Sequence, residues 1–327
     1  MKFTLRPYLS PLLALCVALV SIESLWGQMV PSRGENIEYL VTFGNQAPKG
    51  WGDDDYTQVF FFLVPKNVRE AVYIRVYDPD VGGDIDQQNQ GWNTRMKYSV
   101  YGGRGTHSDP DARKVDPVGN YRSGILLDSK TFGSEPDYNK KWYTFGPFNP
   151  TEGELDNSLG GYIFKLIIQG TSGNDGNLYK LFLSTDMEEN RRVEGGNGFT
   201  YEYSFRLSKT GVAAQLYPYI DQEVIALKQN NFDFDNDGYI KLYSVNKNGH
   251  LMTTSNDNQW TQSSHKVSPG ERGKSMNIQI IKTKNFDNDM VLYVTNQYDQ
   301  PVPFFAVPIG GRPHYNYGRT KITPNPR

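Results

Sequence analysis

Short runs of β-type residues recur along almost the whole chain, and none of it carries a helical period over about 12 residues. The runs are 36–43, 58–64, 71–77, 96–101, 124–127, 142–145, 162–168, 178–183 and 201–207. Gly102-Gly103, Gly160-Gly161, Gly173-Asn174-Asp175-Gly176 and Gly195-Gly196-Asn197-Gly198 separate several of them. Glycine and asparagine supply the backbone angles that tight turns need, so the pattern is strand, turn, strand. Run 58–64, QVFFFLV, is apolar throughout and predicts a strand buried on both faces. So many short strands with so few helical signals predict an all-β chain of sandwich or jelly-roll type.

A second series follows Ser208-Lys209-Thr210-Gly211: 213–220, 224–229, 239–245, 250–254, 277–281, 291–296 and 304–307. Asn246-Lys247-Asn248-Gly249 is a hairpin signal joining two of them. The expectation is two tandem β-sandwich domains, residues 28–209 and 210–311. Within the second, Phe234-Asp235-Asn236-Asp237 is echoed by Phe286-Asp287-Asn288-Asp289, each opening a strand-like run. The last stretch, 312–327, is basic and proline-bearing without apolar period, and reads as a flexible tail.

The N-terminus carries Lys2 and Arg6, then an apolar run from Leu12 to Val20, then small residues before Gln28. A run that short does not span a bilayer, and residues 1–27 read as a signal peptide. The expected localisation is export to the periplasm, or to the extracellular medium or cell surface. The mature chain carries no candidate membrane span. The single cysteine, Cys16, lies in the signal, so the exported chain has no disulfide framework, thiolate nucleophile or cysteine-based zinc site. A formal net charge of −2 argues against a nucleic-acid partner.

Two aspartate-rich loops carry the strongest chemical signal. Asp78-Pro79-Asp80-Val81-Gly82-Gly83-Asp84-Ile85-Asp86 follows run 71–77. Asp233-Phe234-Asp235-Asn236-Asp237-Gly238 precedes run 239–245. Carboxylates two residues apart in a turn aim several oxygens at one hard cation, and calcium takes about six to eight such ligands. The second loop matches the opening of an EF-hand loop and then departs, with Ser244 where a bidentate glutamate belongs and a strand where a helix belongs. Asp53-Asp54-Asp55 precedes run 58–64. If runs 58–64 and 71–77 are antiparallel neighbours, it faces the 78–86 loop. The candidate calcium ligands are therefore Asp53, Asp55, Asp78, Asp80, Asp84, Asp86, Asp233, Asp235 and Asp237. Trp51 and Trp92 flank these loops and are candidate platforms for a sugar ring or a partner's side chain.

Catalytic patterns are scarce. The histidines His107, His250, His265 and His314 form no metal-ligand motif, and no nucleophile elbow, phosphate loop or dinucleotide fingerprint is present.

Tyr73-Ile74-Arg75-Val76 leading into an Asp-Gly loop, the run Gly160 to Leu166 and the run Gly176 to Leu181 give residues 55–185 a likeness to a known module. The segment resembles the pre-peptidase C-terminal type of secreted bacterial β-sandwich. The resemblance implies a non-catalytic jelly-roll whose acidic loops bind calcium. Run 36–43 and the long 103–160 stretch depart from so compact a module.

The expected function is an exported, non-enzymatic binding or structural module, calcium-stabilised, that presents loops to a glycan or cell-surface protein in adhesion or carbohydrate binding. The alternative is a structural subunit of a cell-envelope complex that docks through its C-terminal tail. A glycan-active enzyme stands behind both.

Overall fold

The computed structural model describes residues 28–115, 121–135 and 137–311. The signal segment and the 312–327 tail lie outside the described residues. The chain is all-β; among the described residues pairing is antiparallel throughout and helix is limited to short 3-10 turns.

The strands are β1 (Met29–Val30), β2 (Leu40–Phe43), β3 (Thr57–Pro65), β4 (Val72–Tyr77), β5 (Arg95–Gly102), β6 (Ile125–Phe132), β7 (Trp142–Phe148), β8 (Glu154–Asp156), β9 (Gly161–Ser172), β10 (Gly176–Ser184) and β11 (Asn197–Thr200). They continue as β12 (Glu202–Arg206), β13 (Ala213–Leu216), β14 (Tyr219–Ile220), β15 (Ala226–Phe232), β16 (Gly238–Tyr243), β17 (Asn248–Met252), β18 (Trp260–Lys266), β19 (Lys274–Ser275), β20 (Asn277–Lys282), β21 (Asp289–Thr295) and β22 (Phe304–Phe305).

One long sheet runs β18-β15-β21-β12-β2-β10-β4-β7, with β1 beside β10. A second runs β22-β11-β3-β9-β5-β6, with β8 beside β9. A third runs β13-β20-β16-β17, and β14 pairs with β19. One apolar cluster joins inward residues of all three larger sheets, from Phe60, Val76 and Leu181 to Tyr203, Leu242, Ile278 and Leu292. The long sheet therefore faces two partners, one on each side of residues 208–211. β12, just before that segment, pairs with β21 beyond it from Glu202↔Tyr293 to Arg206↔Asp289.

The joint between β12 and β2 is narrow, a single pair, Phe205↔Leu40. The amide of Gln58, from the facing sheet, enters the gap above it. Its nitrogen donates to Val41 O at 2.7 Å and to the Tyr179 hydroxyl at 2.8 Å. Its oxygen accepts from Ser204 N at 3.0 Å. A buried amide thus satisfies backbone groups that the splayed strands leave unpaired.

β3 is buried on both faces, as its apolar run predicts. Phe60, Phe62 and Val64 enter the main core, while Phe61 stacks on Phe199 at 5.1 Å in a smaller cluster with Phe305. The hairpin at 246–249 forms, joining β16 to β17. Two pairings differ from expectation. β3 and β4 are not neighbours, because β3 pairs with β9 and β11 while β4 pairs with β10 and β7; the 66–71 connection crosses between facing sheets. β22 does not stay within the second series alone: its backbone pairs with Phe199 and Thr200 of β11 on one side, while on the other Phe304 bridges Pro218 and Phe305 N donates to Tyr217 O at 3.1 Å.

A candidate cation-binding pole

β15 ends at Phe232, and the chain then turns through three left-handed residues, Asp233 (φ 58), Asp235 (φ 59) and Asn236 (φ 48). Asp and Asn tolerate that region better than other side chains. The turn places the Asp233 and Asp235 carboxylates beside Asp257, from the β17–β18 turn. One oxygen from each lies within 4.8 Å of the others. Asp233 is 2% exposed and Asp257 is exposed, so the group opens to solvent on one side.

Burial, against a hydrogen bond from Asn258 N and with added repulsion from Asp235, Asp257 and Asp289, pushes the Asp233 carboxyl up to about 7. Burial also raises Asp235, whose Oδ1 is enclosed without a hydrogen-bond partner among the described residues. Crowded carboxyls of this kind either take up protons or share a cation. An all-oxygen set suits a hard ion such as calcium.

Asp237 has a different job. Its Oδ1 accepts from Lys284 N at 2.6 Å and Thr283 N at 3.3 Å, tying the turn to the end of β20. Asp257 carried no spacing signal. It sits in an ordinary Asn256-Asp257-Asn258 turn, and only the pairing of β15 with β18 brings it to Asp233. The echoed segments lie against each other, with Asn288 Nδ2 donating to Phe234 O at 3.2 Å. They are not equivalent, since Phe234 is fully buried and Phe286 is 42% exposed.

The expected meeting of Asp53–Asp55 with the 78–86 loop rested on a β3–β4 hairpin, and those strands lie in different sheets. Asp53 instead clamps its own loop, accepting from Phe43 N at 2.9 Å and Tyr56 N at 2.8 Å. Burial raises it to about 7. Asp55 accepts from Thr57 N, and burial, Glu202 and Asp53 hold its carboxyl well above the usual range. Asp54 Oδ2 accepts from Trp260 Nε1 at 2.8 Å, which ties this loop to β18 at the Asp233 pole.

In the 78–86 loop the four aspartates divide. Asp78 and Asp80 are buried. Asp86 accepts from Gly82 N and Leu178 N, both at 2.7 Å, and so pins the loop to β10. Asp84 is exposed and paired with Lys140 at 2.6 Å.

Trp51 packs half-buried on Phe43 at 5.8 Å, and Trp92 packs against the main core. Both act as caps on apolar clusters. The aromatic ledge beside the acidic pole is Trp260, which stands 5.3 Å from Phe232 and 5.1 Å from Tyr293. The sequence marks it weakly, as a lone tryptophan in a polar run.

No protein-family model matches the chain, and no curated protein matches it. Among solved structures it is similar to a chain of the T=3 Penaeus vannamei nodavirus, at 11% identity over 82% of this chain and 86% of that one, with a TM-score of 0.21. It is also similar to a chain of infectious bursal disease virus Gx strain, at 10% identity over 82% and 74%, with a TM-score of 0.15. Likenesses that distant say nothing of function.

Proposed function

We propose that the chain is an exported, non-enzymatic β-sandwich module, calcium-stabilised, that presents its loops to a glycan or cell-surface protein. One observation carries this reading: Asp233, Asp235 and Asp257 converge at a solvent-facing pole beside Trp260. A cation held there neutralises the carboxylates and leaves coordination positions open toward solvent. Vicinal sugar hydroxyls are oxygen ligands of the right kind for such positions, and the tryptophan offers a stacking face. The test is glycan and surface-protein array binding with calcium and with chelator. Binding that appears with calcium and disappears with chelator or in Asp235→Asn supports the reading. Arrays that stay blank with calcium present overturn it.

A further inference from the structure

A second set of oxygens lies inside the protein without donors to satisfy it. β4 ends at Tyr77 and the chain turns through left-handed Asp78 (φ 56). Asp78 is 1% exposed and Asp80 0%. Among the described residues, neither carboxylate oxygen of Asp78, nor Oδ1 of Asp80, has a hydrogen-bond partner. The Lys140 backbone N–H lies near enough to lower the Asp78 pKa, but not in hydrogen-bond geometry. Buried carboxylate oxygens with no donor are costly, and folded proteins rarely leave them so.

The surrounding charge relieves them only in part, through Lys140 on Asp78 and Lys141 on Asp80. Asp86, Glu135 and Asp137 add negative potential on the same side. Lys140 is drawn off by exposed Asp84 at 2.6 Å, and Lys141 acts on Asp80 from a distance without an ion pair. Burial, the largest cause, pushes Asp78 up to about 7 and Asp80 to about 6.

Asn139, from the connection between β6 and β7, closes the site. Its amide reaches Asp80 Oδ2 at 2.8 Å and Gly82 O at 3.2 Å. With the nitrogen inward these are hydrogen bonds. With the oxygen inward they are oxygen–oxygen edges of about the length found between neighbouring ligands of a calcium ion. Asn177, held to the Tyr98 hydroxyl at 2.7 Å, reaches the Asp80 and Asp78 carbonyls at 2.8 and 3.3 Å and fixes the turn from beneath. The site therefore has two ways to be satisfied, one with protons and one with a cation.

We propose that Asp78 and Asp80, with Asn139, form a second and buried site for a calcium-sized divalent cation, which fastens the 78–86 loop to the 133–141 connection. The all-oxygen ligand set selects a hard ion. The irregular turn suits calcium's flexible geometry better than magnesium's strict octahedron. None of these residues belongs to the Asp233 pole, so the two sites stand or fall separately.

Calcium titration by calorimetry, on the purified full-length chain and three variants, tests this. The variants are Asp235→Asn with Asp257→Asn, Asp78→Asn with Asp80→Asn, and all four changes together. The expected uptake is two ions for the unaltered chain, one for each double variant and none for the quadruple. Asn139→Leu in the Asp235→Asn, Asp257→Asn background is expected to weaken the remaining site by more than about tenfold, since even outer-shell partners are worth that much. Should the Asp78, Asp80 variant fail to fold, the Asp235, Asp257 variant still decides. One ion retained there supports the buried site. None retained, where the unaltered chain takes one, overturns it and leaves the Asp233 pole standing. Uptake abolished by Asp78→Asn with Asp80→Asn alone removes the Asp233 pole instead. No uptake by the unaltered chain removes both.

Discussion

Glu35 sits in a fully buried pocket where Ser32 N and the Tyr203 hydroxyl both donate to it, yet burial still raises it to about 7. Asp53, Asp78 and Asp233 are raised to about 7 for the same leading reason. A carboxyl whose folded pKa exceeds its unfolded value, about 4, binds more protons in the native state between those limits. Stability from these groups is then full below about 4 and is lost as pH climbs to about 7. His107 works the other way, because burial lowers it to about 4 and its neutral form is stabilising only as pH rises. These carboxyls, with Asp55, Asp80, Asp86 and Asp235 raised beside them, outweigh His107 and His265, both lowered by burial, and predict that the cation-free chain melts lower at pH 7.5 than at pH 5. Calcium is expected to flatten that slope by holding Asp78 and Asp233 deprotonated, while Glu35 and Asp53 keep their share. Thermal melts across that range, in chelator and in calcium, check it; a chelated chain that melts higher at pH 7.5 contradicts it. The sequence shows which residues are acidic but not which are enclosed. Asp84 and Asp80 are alike in type and loop, yet one is an exposed ion pair and the other has no exposed surface.

At the scale of elements, strands were legible where apolar residues alternate or run together, as in β3, β9 and β10. β18 was not, because it is an edge strand whose inward positions are the polar Thr261, Ser263 and His265, so its sequence, WTQSSHK, carries no apolar face. Pairing was legible at the 246–249 hairpin and little elsewhere, since without a tight turn no local signal says which strands lie side by side. The narrow β2–β12 joint shows the consequence. Gln58 reads as a polar interruption at the start of an apolar run, and it bridges the two halves of the long sheet. Gln58→Leu preserves the volume and leaves Ser204 N–H and Val41 O without that partner. Each such group costs about 1–3 kcal/mol, so a loss of about 3 kcal/mol is expected. Urea titration measures it, and a change below about 0.5 kcal/mol would show the joint to be held by β2–β12 pairing alone. A parallel case is Glu271, buried and bonded to Lys247 Nζ at 2.7 and 2.8 Å and to Ser268 N at 2.7 Å. Lys247→Met strands that carboxylate and is expected to cost about 3 kcal/mol in the same assay.

Across the whole molecule, the second strand series after Ser208-Lys209-Thr210-Gly211 suggests two bodies, whereas the sheet and core tie the two sides together. β12 lies before that segment and pairs with β21 beyond it. β22, near the end of the described chain, returns to β11, with Phe304 5.7 Å from Tyr203 and Phe305 5.0 Å from Phe199. A fragment of residues 28–209 would lose both partners and expose Phe199, Tyr203 and Phe205, which are 0% exposed in the full chain. Burial of a large apolar side chain is worth about 1.5–3 kcal/mol, and three such losses are comparable to the whole stability of an ordinary domain. The prediction is that 28–209 alone does not fold and that the full chain unfolds in one calorimetric transition, with calorimetric and van't Hoff enthalpies equal. Two resolved transitions, together with a 28–209 fragment giving dispersed amide resonances, would instead make the segment a true boundary, with β21 and β22 as docking strands of an otherwise independent second domain. The single-transition outcome has a functional corollary: cation binding at the Asp233 pole and at Asp78–Asp80 would raise one shared melting temperature, each site contributing by mass action to the same folded state.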